Sequence, residues 1–468
     1  MSIFREYDIR GVVGEALTFD DAEMIGRAYA TFILENGGRT VAVGRDGRLT
    51  SPALCERFLQ GLLSSGVQVL DLGECATPLL YFSLFHLPVD GGVMITGSHN
   101  AAEYNGFKLC RGQEALYGED IQQLRQIIEA KRFVSGEGSV TERPIIPDYL
   151  AFLKEHFSGI QAAGLHVVID CGNGAASLVA KDALEQMGCQ VSVLYGELDG
   201  RFPHHHPDPT VVENLQDLRE EVRRTHAAVG IGYDGDADRI GAIDEQGNIV
   251  WGDQLLLVFA RDLLASQPGA TVISEVKASQ TLYDDIQRRG GHGIMWKAGH
   301  SVMKAKMKET SALLAGEMSG HLFFADRYFG YDDAIYASCR LVEILVRTRQ
   351  SLSTLLADLP PTSVTPEIRV DCPDAQKFQL VDAVRVRLET LRKGLSPDNP
   401  ALTIREVITI DGVRIHFDGG WGLLRASNTQ PALVLRFEAS SSTLLEVYRS
   451  FLEEILHAAQ RELKRLAC

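Results

Sequence analysis

No two of the eight cysteines form a C-x-x-C pair; they are scattered along 468 residues. That spacing argues against a zinc site and a disulfide framework and fits a reducing compartment. No run of about eighteen apolar residues occurs, so no membrane span is expected. Met1 to Asp8 contain no apolar signal core, and a cytoplasmic location is the expectation. Basic residues are in deficit. The 46 Lys and Arg against 62 Asp and Glu leave a net charge of −16, which disfavours non-specific nucleic-acid binding. Local Arg and Lys can still dominate a cleft that takes a small anion. The chain has neither a G-x-x-x-x-G-K-[ST] loop nor a G-x-G-x-x-G fingerprint after a strand, so a nucleotide-using kinase and a dehydrogenase are both disfavoured. Low-complexity segments are missing too.

What is present reads as globular protein, 45% hydrophobic and 23% charged. The length suggests about three or four domains. One plan occurs three times. Val41 to Val43 reads as a strand, Gly44 to Arg48 as a polar loop, Ser51 to Ser65 as a helix and Val67 to Leu70 as a second strand. Val167 to Asp170, Cys171 to Gly174, Ser177 to Met187 and Val191 to Leu194 repeat it. Val272 to Ser274, Glu275 to Ser279, Gln280 to Arg288 and Gly293 to Trp296 repeat it again. Strand starts lie about 21 to 26 residues apart, the length of a compact strand–helix–strand crossover, which implies parallel pairing. The polar loops then sit at the carboxyl ends of parallel strands, where ligands usually bind. A linker is expected near Ser135 to Ser139. After Pro360-Pro361 the pattern changes: strand-like Ile368 to Val370, a helix around Ala375 to Leu391, strand-like Ile404 to Ile410, Val413 to Phe417 and Leu433 to Phe437, and a last helix from Ser442 to Arg465. This reads as a small α+β domain.

The densest chemistry lies in Tyr233-Asp234-Gly235-Asp236-Ala237-Asp238-Arg239. Three carboxylates this close repel one another unless a cation sits among them, and oxygen ligands without Cys or His suit a hard divalent ion, Mg²⁺ first. An EF-hand loop also alternates Asp, and Glu245 falls at its last ligand position. The position that needs Gly holds Arg239, however, and the flanks, Ala228 to Gly232 and Ile240 to Ile243, read as strands. A solvated acidic turn without metal is the plainer alternative.

Three further loops stand out. Met94 to Asn100 contains Gly97-Ser98-His99-Asn100 after a predicted strand; it is not the hydrolase elbow G-x-S-x-G. Lys108 lies just downstream and can neutralise a phosphate or carry a proton. Gly316-Glu317-Met318-Ser319-Gly320-His321 offers hydrogen-bonding groups to sugar hydroxyls. Arg425-Ala426-Ser427-Asn428-Thr429-Gln430-Pro431 offers a guanidinium, hydroxyls and backbone N–H groups to a phosphate. Each also reads as an ordinary loop when taken alone. His204-His205-His206, bounded by prolines, reads as structural ahead of metal-binding.

Taken in order, Thr96 to Asn100, Asp234 to Arg239, Gly316 to His321 and Arg425 to Thr429 resemble the four signature loops of the α-D-phosphohexomutase superfamily. Tyr7-Asp8-Ile9-Arg10-Gly11 matches as well, and the resemblance spans the whole chain. Met318 resembles the phosphomannomutase/phosphoglucomutase branch; the phosphoglucosamine mutase branch typically carries Gln there. Ala101 departs from the family, which often has Pro after Asn100, and this is expected to loosen the loop. The resemblance implies three similar mixed α/β domains in series plus a C-terminal α+β domain around a central cleft, with bounds at 1–140, 141–250, 251–362 and 363–468. It implies a phosphorylated Ser98, with Mg²⁺ held by Ser98, Asp234, Asp236 and Asp238. Arg10, His99, Lys108 and Arg239 are the implied charge-neutralising or proton-transferring residues. Tyr7, Lys277, His300, Glu317, Met318, Ser319, Gly320, His321, Arg425, Ser427, Asn428 and Thr429 are the implied substrate contacts. The implied reaction interconverts hexose 1- and 6-phosphates through a hexose 1,6-bisphosphate, which also serves as activator. A phosphoglucosamine mutase, a phosphatase using the same loops and a non-catalytic sugar-phosphate or metal binder are the alternatives. Small hexose phosphates are the expected partners, with no nucleic acid and no membrane.

Overall fold

Four β-sheets carry the fold in the computed structural model, which describes residues 3–394, 399–428 and 431–466. In the first, Thr40–Arg45 pairs in parallel with Gln68–Glu74 on one side and with Gly91–Ile95 on the other. The crossover Ser51–Leu63 begins with Pro52 in its first turn, where a missing N–H costs nothing. Tyr104–Arg111 then runs antiparallel to Gly91–Ile95, and Ile9–Val12 closes that edge. In the second sheet His166–Asp170 pairs in parallel with Gln190–Leu194 and with Val229–Tyr233, and Ile240–Asp244 returns antiparallel. In the third, Thr271–Glu275 pairs in parallel with His292–Trp296 and with Leu314–Gly316, and Leu322–Phe324 returns. The parallel pairings expected from the repeat are all formed. The fourth sheet is antiparallel throughout and packs on Asp374–Gly394 and Ser442–Leu466.

One large apolar core runs through the first three units. The helix Thr77–His86 is the clearest bridge: Thr77 to Leu84 are all buried, as expected for a helix apolar on every side. The fourth unit docks on the third. Arg414 is fully buried, donates to the carbonyls of Val276 (2.7 Å) and Ala278 (2.8 Å), and lies 3.9 Å from the Trp421 ring centre.

Three local expectations need correction. The segment around Ser135 to Ser139 is not a free linker: Gly136 bridges to Ser65, and Ser139–Glu142 adds a parallel strand beside Gln68–Glu74. A boundary at 140 therefore falls inside a strand. The helix expected from Ser177 to Met187 is a 3₁₀ turn, Ala175–Leu178, followed by a short helix, Ala180–Gln186, because Val179 leaves helical geometry at φ −150°. The strand Gly420–Ala426 was not expected; Gly420 and Gly422 interrupt its apolar alternation.

Candidate functional site

The chain leaves the strand Gly91–Ile95 and turns at Ser98, which is 2% exposed and adopts φ 49°. A residue other than glycine at positive φ needs support from its surroundings. The Ser98 N–H donates to Thr96 Oγ1 (2.8 Å), and its Oγ lies 3.1 Å from both Asp234 Oδ2 and His99 Nδ1. Burial, then the charges of Arg239 and Arg10, hold His99 well below the ordinary histidine range, so its ring is neutral.

Asp234, Asp236 and Asp238 lie in the turn between Val229–Tyr233 and Ile240–Asp244, all fully buried. The N–H groups of Asp238 and Arg239 donate to Asp234 Oδ1 at 3.1 Å each. Asp236 Oδ2 accepts from Thr77 Oγ1 (2.5 Å) and from Lys108 Nζ (2.8 Å), and Lys108 also meets Asp238 Oδ2. The three carboxylates each present an oxygen within 4.8 Å of the others. Burial and then its two neighbours' charges push the Asp234 carboxyl well above the usual range. Burial opposes charge on Lys108 and Asp236 alike, but their mutual attraction outweighs it and keeps both ionised. Among the described residues Oδ1 of Asp236 and of Asp238 are buried without a hydrogen bond, with His321 Nδ1 3.5 Å from the latter. Unpaired buried carboxylate oxygens are costly. An all-oxygen donor set with free lone pairs therefore fits a hard divalent cation.

The third unit reaches this cluster through His321. Its Nε2 accepts from Arg239 Nε (3.0 Å), which places the ring proton on Nδ1, 3.0 Å from Asp332 Oδ2. Asp332 also accepts from Lys304 Nζ (2.9 Å) and lies 3.9 Å from His300 Nδ1. Burial, reinforced by Lys304, keeps His300 well below the ordinary range. In the sugar-type loop, Glu317 accepts from the Gly299 N–H (2.6 Å), and the Met318 N–H donates to the buried Glu275 (3.2 Å). Glu275 also accepts from the Lys277 N–H (2.6 Å), while Lys277 Nζ reaches Glu367 (3.2 Å). Arg436 touches the Lys277 carbonyl and Met318 Sδ. Ser319 is half-buried beside Gly320, whose φ is +92°.

From the fourth unit, Arg425 Nε pairs with Asp411 (3.0 Å), which also accepts from the Ala298 N–H (3.1 Å). Asn428 donates to Tyr7 Oη (2.9 Å), and Tyr7 in turn donates to the Ala298 carbonyl (3.0 Å). Ser427 is buried, its N–H bonded to the Ala432 carbonyl (2.9 Å). Thr429 lies outside the described residues. Arg10 donates to Asp8 (2.6 Å) and to Asn100 Oδ1 (2.7 Å) beside the serine loop.

Hydrogen bonds and ion pairs thus link the four loops across all four units. Arg48 and Glu275, from the polar loops at the carboxyl ends of parallel strands, also belong to the network, as does Asp332, which no local sequence pattern marks. The histidine run plays the structural part: His204 bonds Asn173 (2.8 Å) and His205 bonds Asp170 (3.0 Å). Among the described residues no helix is long and apolar enough to cross a membrane.

Four family models match the chain in order. They describe phosphoglucomutase/phosphomannomutase alpha/beta/alpha domain I (residues 1–135), domain II (147–247), domain III (251–363) and the C-terminal domain (367–455). A phosphomannomutase/phosphoglucomutase of Pseudomonas aeruginosa is 45% identical over 99% of this chain and 97% of that protein. A phosphoglucomutase of Neisseria gonorrhoeae is 44% identical over 95% of this chain and 94% of its own. The solved structure of a phosphoglucomutase/phosphomannomutase family protein from Burkholderia thailandensis superposes with a TM-score of 0.89 at 40% identity, covering 98% of this chain and 97% of that one. With all four domains matched in series and relatives of this similarity aligned nearly end to end, the chain belongs to the phosphoglucomutase/phosphomannomutase family.

Proposed function

We propose that the protein interconverts hexose 1-phosphates and hexose 6-phosphates, of mannose, glucose or both, through a phosphoryl group on Ser98 and a hexose 1,6-bisphosphate. The observation that carries this reading is the placement of Ser98 Oγ 3.1 Å from Asp234, within a buried cluster of three carboxylates. A serine hydroxyl is a weak nucleophile, but its phosphate ester is a donor. Asp234, Asp236, Asp238 and Ser98 would hold Mg²⁺, which when bound supplies positive charge against the oxygens of the transferring group.

In the first transfer the bond from phosphorus to Ser98 Oγ breaks and a bond from phosphorus to the free sugar hydroxyl oxygen forms. The hydroxyl proton leaves as that bond forms. Arg10, Lys108 and Arg239 offset charge around the serine. His99 and Asp234 each lie 3.1 Å from Oγ and are the groups there that can take a proton. Glu317, Ser319 and His300 orient the sugar hydroxyls; Met318, Gly320, His321 and Lys277 shape that loop. Arg425, Ser427, Asn428 and Thr429 hold the phosphate that is not reacting. The bisphosphate then turns end for end, and its other phosphate returns to Ser98. The same bisphosphate recharges any enzyme whose Ser98 has lost its phosphate.

Incubation with glucose 1-phosphate or mannose 1-phosphate, followed by ³¹P NMR, tests the reading. The expected result is the 6-phosphate isomer with no stoichiometric inorganic phosphate, and loss of nearly all turnover in Ser98→Ala with sugar-phosphate binding retained. Stoichiometric phosphate release would make the protein a phosphatase. A kcat/KM much higher for glucosamine 1-phosphate would overturn the sugar preference read from Met318.

A further inference from the structure

We propose that Arg48 is the positioning residue of the Ser98 loop, a role that rests on the phosphoryl-transfer reading above. Arg48 does not touch Ser98 Oγ. Instead its guanidinium holds the backbone that carries it. Nη2 donates to the carbonyls of Ser98 (2.7 Å) and Asn100 (2.5 Å), and Nη1 to those of Ala101 (2.6 Å) and Tyr104 (3.0 Å). Nε faces Asp46 Oδ2 at 3.2 Å, and the side chain has no solvent exposure. Asp46 holds the opposite polarity of the same turn. Its Oδ2 accepts from the Gly97 N–H (3.3 Å), and its Oδ1 from Ser51 Oγ (2.5 Å) at the start of Ser51–Leu63. The aromatic ring of Phe202, contributed by the second unit, covers the guanidinium at 5.0 Å.

Only a planar fork of donors can serve four carbonyls from one buried point; an ammonium offers three donors on one nitrogen. The serine loop needs such a clamp on two counts. Ser98 sits at φ 49°, a conformation that relaxes unless its neighbours hold it. Ala101 lacks the ring that would stiffen the chain after Asn100, and its carbonyl is instead one of the four that Arg48 grips. Gly97 completes the fit. A Cβ there would stand 2.5 Å from the guanidinium carbon, so only glycine lets Arg48 close on the loop. The loosening expected from Ala101 is therefore countered by an ionic clamp.

Two substitutions disturb the clamp by different routes. Arg48→Lys keeps the charge and loses the fork; Gly97→Ala keeps Arg48 and displaces it. Each variant is compared with the wild-type enzyme for kcat and KM with glucose 1-phosphate and for amide exchange. A displacement of about 1 Å at a reacting group costs about 100-fold. The expected result is a kcat lower by about 30- to 300-fold with KM within about threefold. Exchange across 97–104 should speed up at least about tenfold while the rest of the first unit is unchanged. A folded variant with kcat within about threefold of wild type overturns the proposal, as does exchange that accelerates uniformly along the chain. Should Arg48→Lys fail to fold, Gly97→Ala decides; unfolding of both makes Arg48 a support of the fold and overturns the positioning role. If the wild-type enzyme does not interconvert the isomers, the functional reading fails, and local exchange at 97–104 still decides whether Arg48 clamps the loop.

Discussion

Asp236 does two jobs with its two oxygens. Oδ2 is bound by Thr77 and Lys108, whereas Oδ1 has no hydrogen-bond partner among the described residues. Asp236→Asn preserves the shape and removes the charge, so the fold is expected to keep its melting temperature within a few degrees. Turnover should fall at least about 100-fold, and half-saturation by Mg²⁺ should move to higher concentration, since a neutral amide is a poor ligand for a hard cation. Wild-type kcat and Mg²⁺ dependence in the variant would remove the cluster from the mechanism. Asp332 behaves differently because Lys304 Nζ donates to its Oδ1 and the His321 ring lies 3.0 Å from its Oδ2. Asp332→Leu leaves Lys304 without its buried partner, while His321 Nδ1 keeps the Asp238 carbonyl (3.2 Å), at an expected cost of about 3–5 kcal/mol by chemical denaturation. Asp332→Asn, which can still accept from Lys304 Nζ, should cost clearly less; equal losses would show that charge alone matters there. Three aspartates alternating within one turn are visible in sequence because the repulsion is local. Asp332 is not, because its partners come from other elements and nothing around Tyr331-Asp332-Asp333 has a chemical pattern of its own. Arg48 lies in one of the expected polar loops, yet its task is not legible there, since its targets are carbonyls, which every residue has.

Between residue and molecule, the metal-type loop and the sugar-type loop are joined edge to edge. Arg239 and His321 form an isolated bridge, and the Ile240 N–H donates to the Gly320 carbonyl (3.1 Å). Gly320 permits this contact: its φ is +92°, and a Cβ would lie 2.2 Å from the Ile240 carbonyl oxygen. Gly320→Ala must either strain the backbone, at about 1–3 kcal/mol, or push the two loops apart. Urea denaturation should show the loss in stability, and KM for the sugar phosphate should rise as Glu317 and Ser319 shift. A variant unchanged in both would mean that the two loops are not coupled through this contact. At this scale the parallel strands and crossovers were legible, since apolar runs and helical periods alternate along the chain. Elements whose burial comes from partners in other units were harder to read. Gly420–Ala426 packs Trp421 under Arg414 and reads as a glycine-rich turn until the third unit is placed against it.

Across the whole molecule the fourth unit meets the third through Lys277–Glu367, Arg436–Lys277 and Asp411–Ala298, and through two further contacts. One is a dock, where Arg414 binds the carbonyls of Val276 and Ala278 away from solvent. The other is a latch at the mouth of the site: Tyr7 Oη donates to the Ala298 carbonyl and accepts from Asn428, tying the first, third and fourth units together. In the proposed reaction the bisphosphate turns end for end, and opening of this latch with the dock kept in place is the movement that would let it do so. Tyr7→Phe removes both hydrogen bonds and leaves the ring against His300, 6.2 Å between centres. At about 1 kcal/mol net for each bond, the ratio of closed to open forms should fall roughly thirtyfold. Small-angle scattering of the substrate-free enzyme should then report a larger radius of gyration, and amide exchange should rise around Arg425 to Asn428 while the strands that pack under Arg414 stay protected. The melting temperature should scarcely move, since the dock is untouched. An unchanged radius with unchanged exchange in that loop would mean that the contacts with the third unit set the position of the fourth and that Tyr7 serves only as a wall of the site.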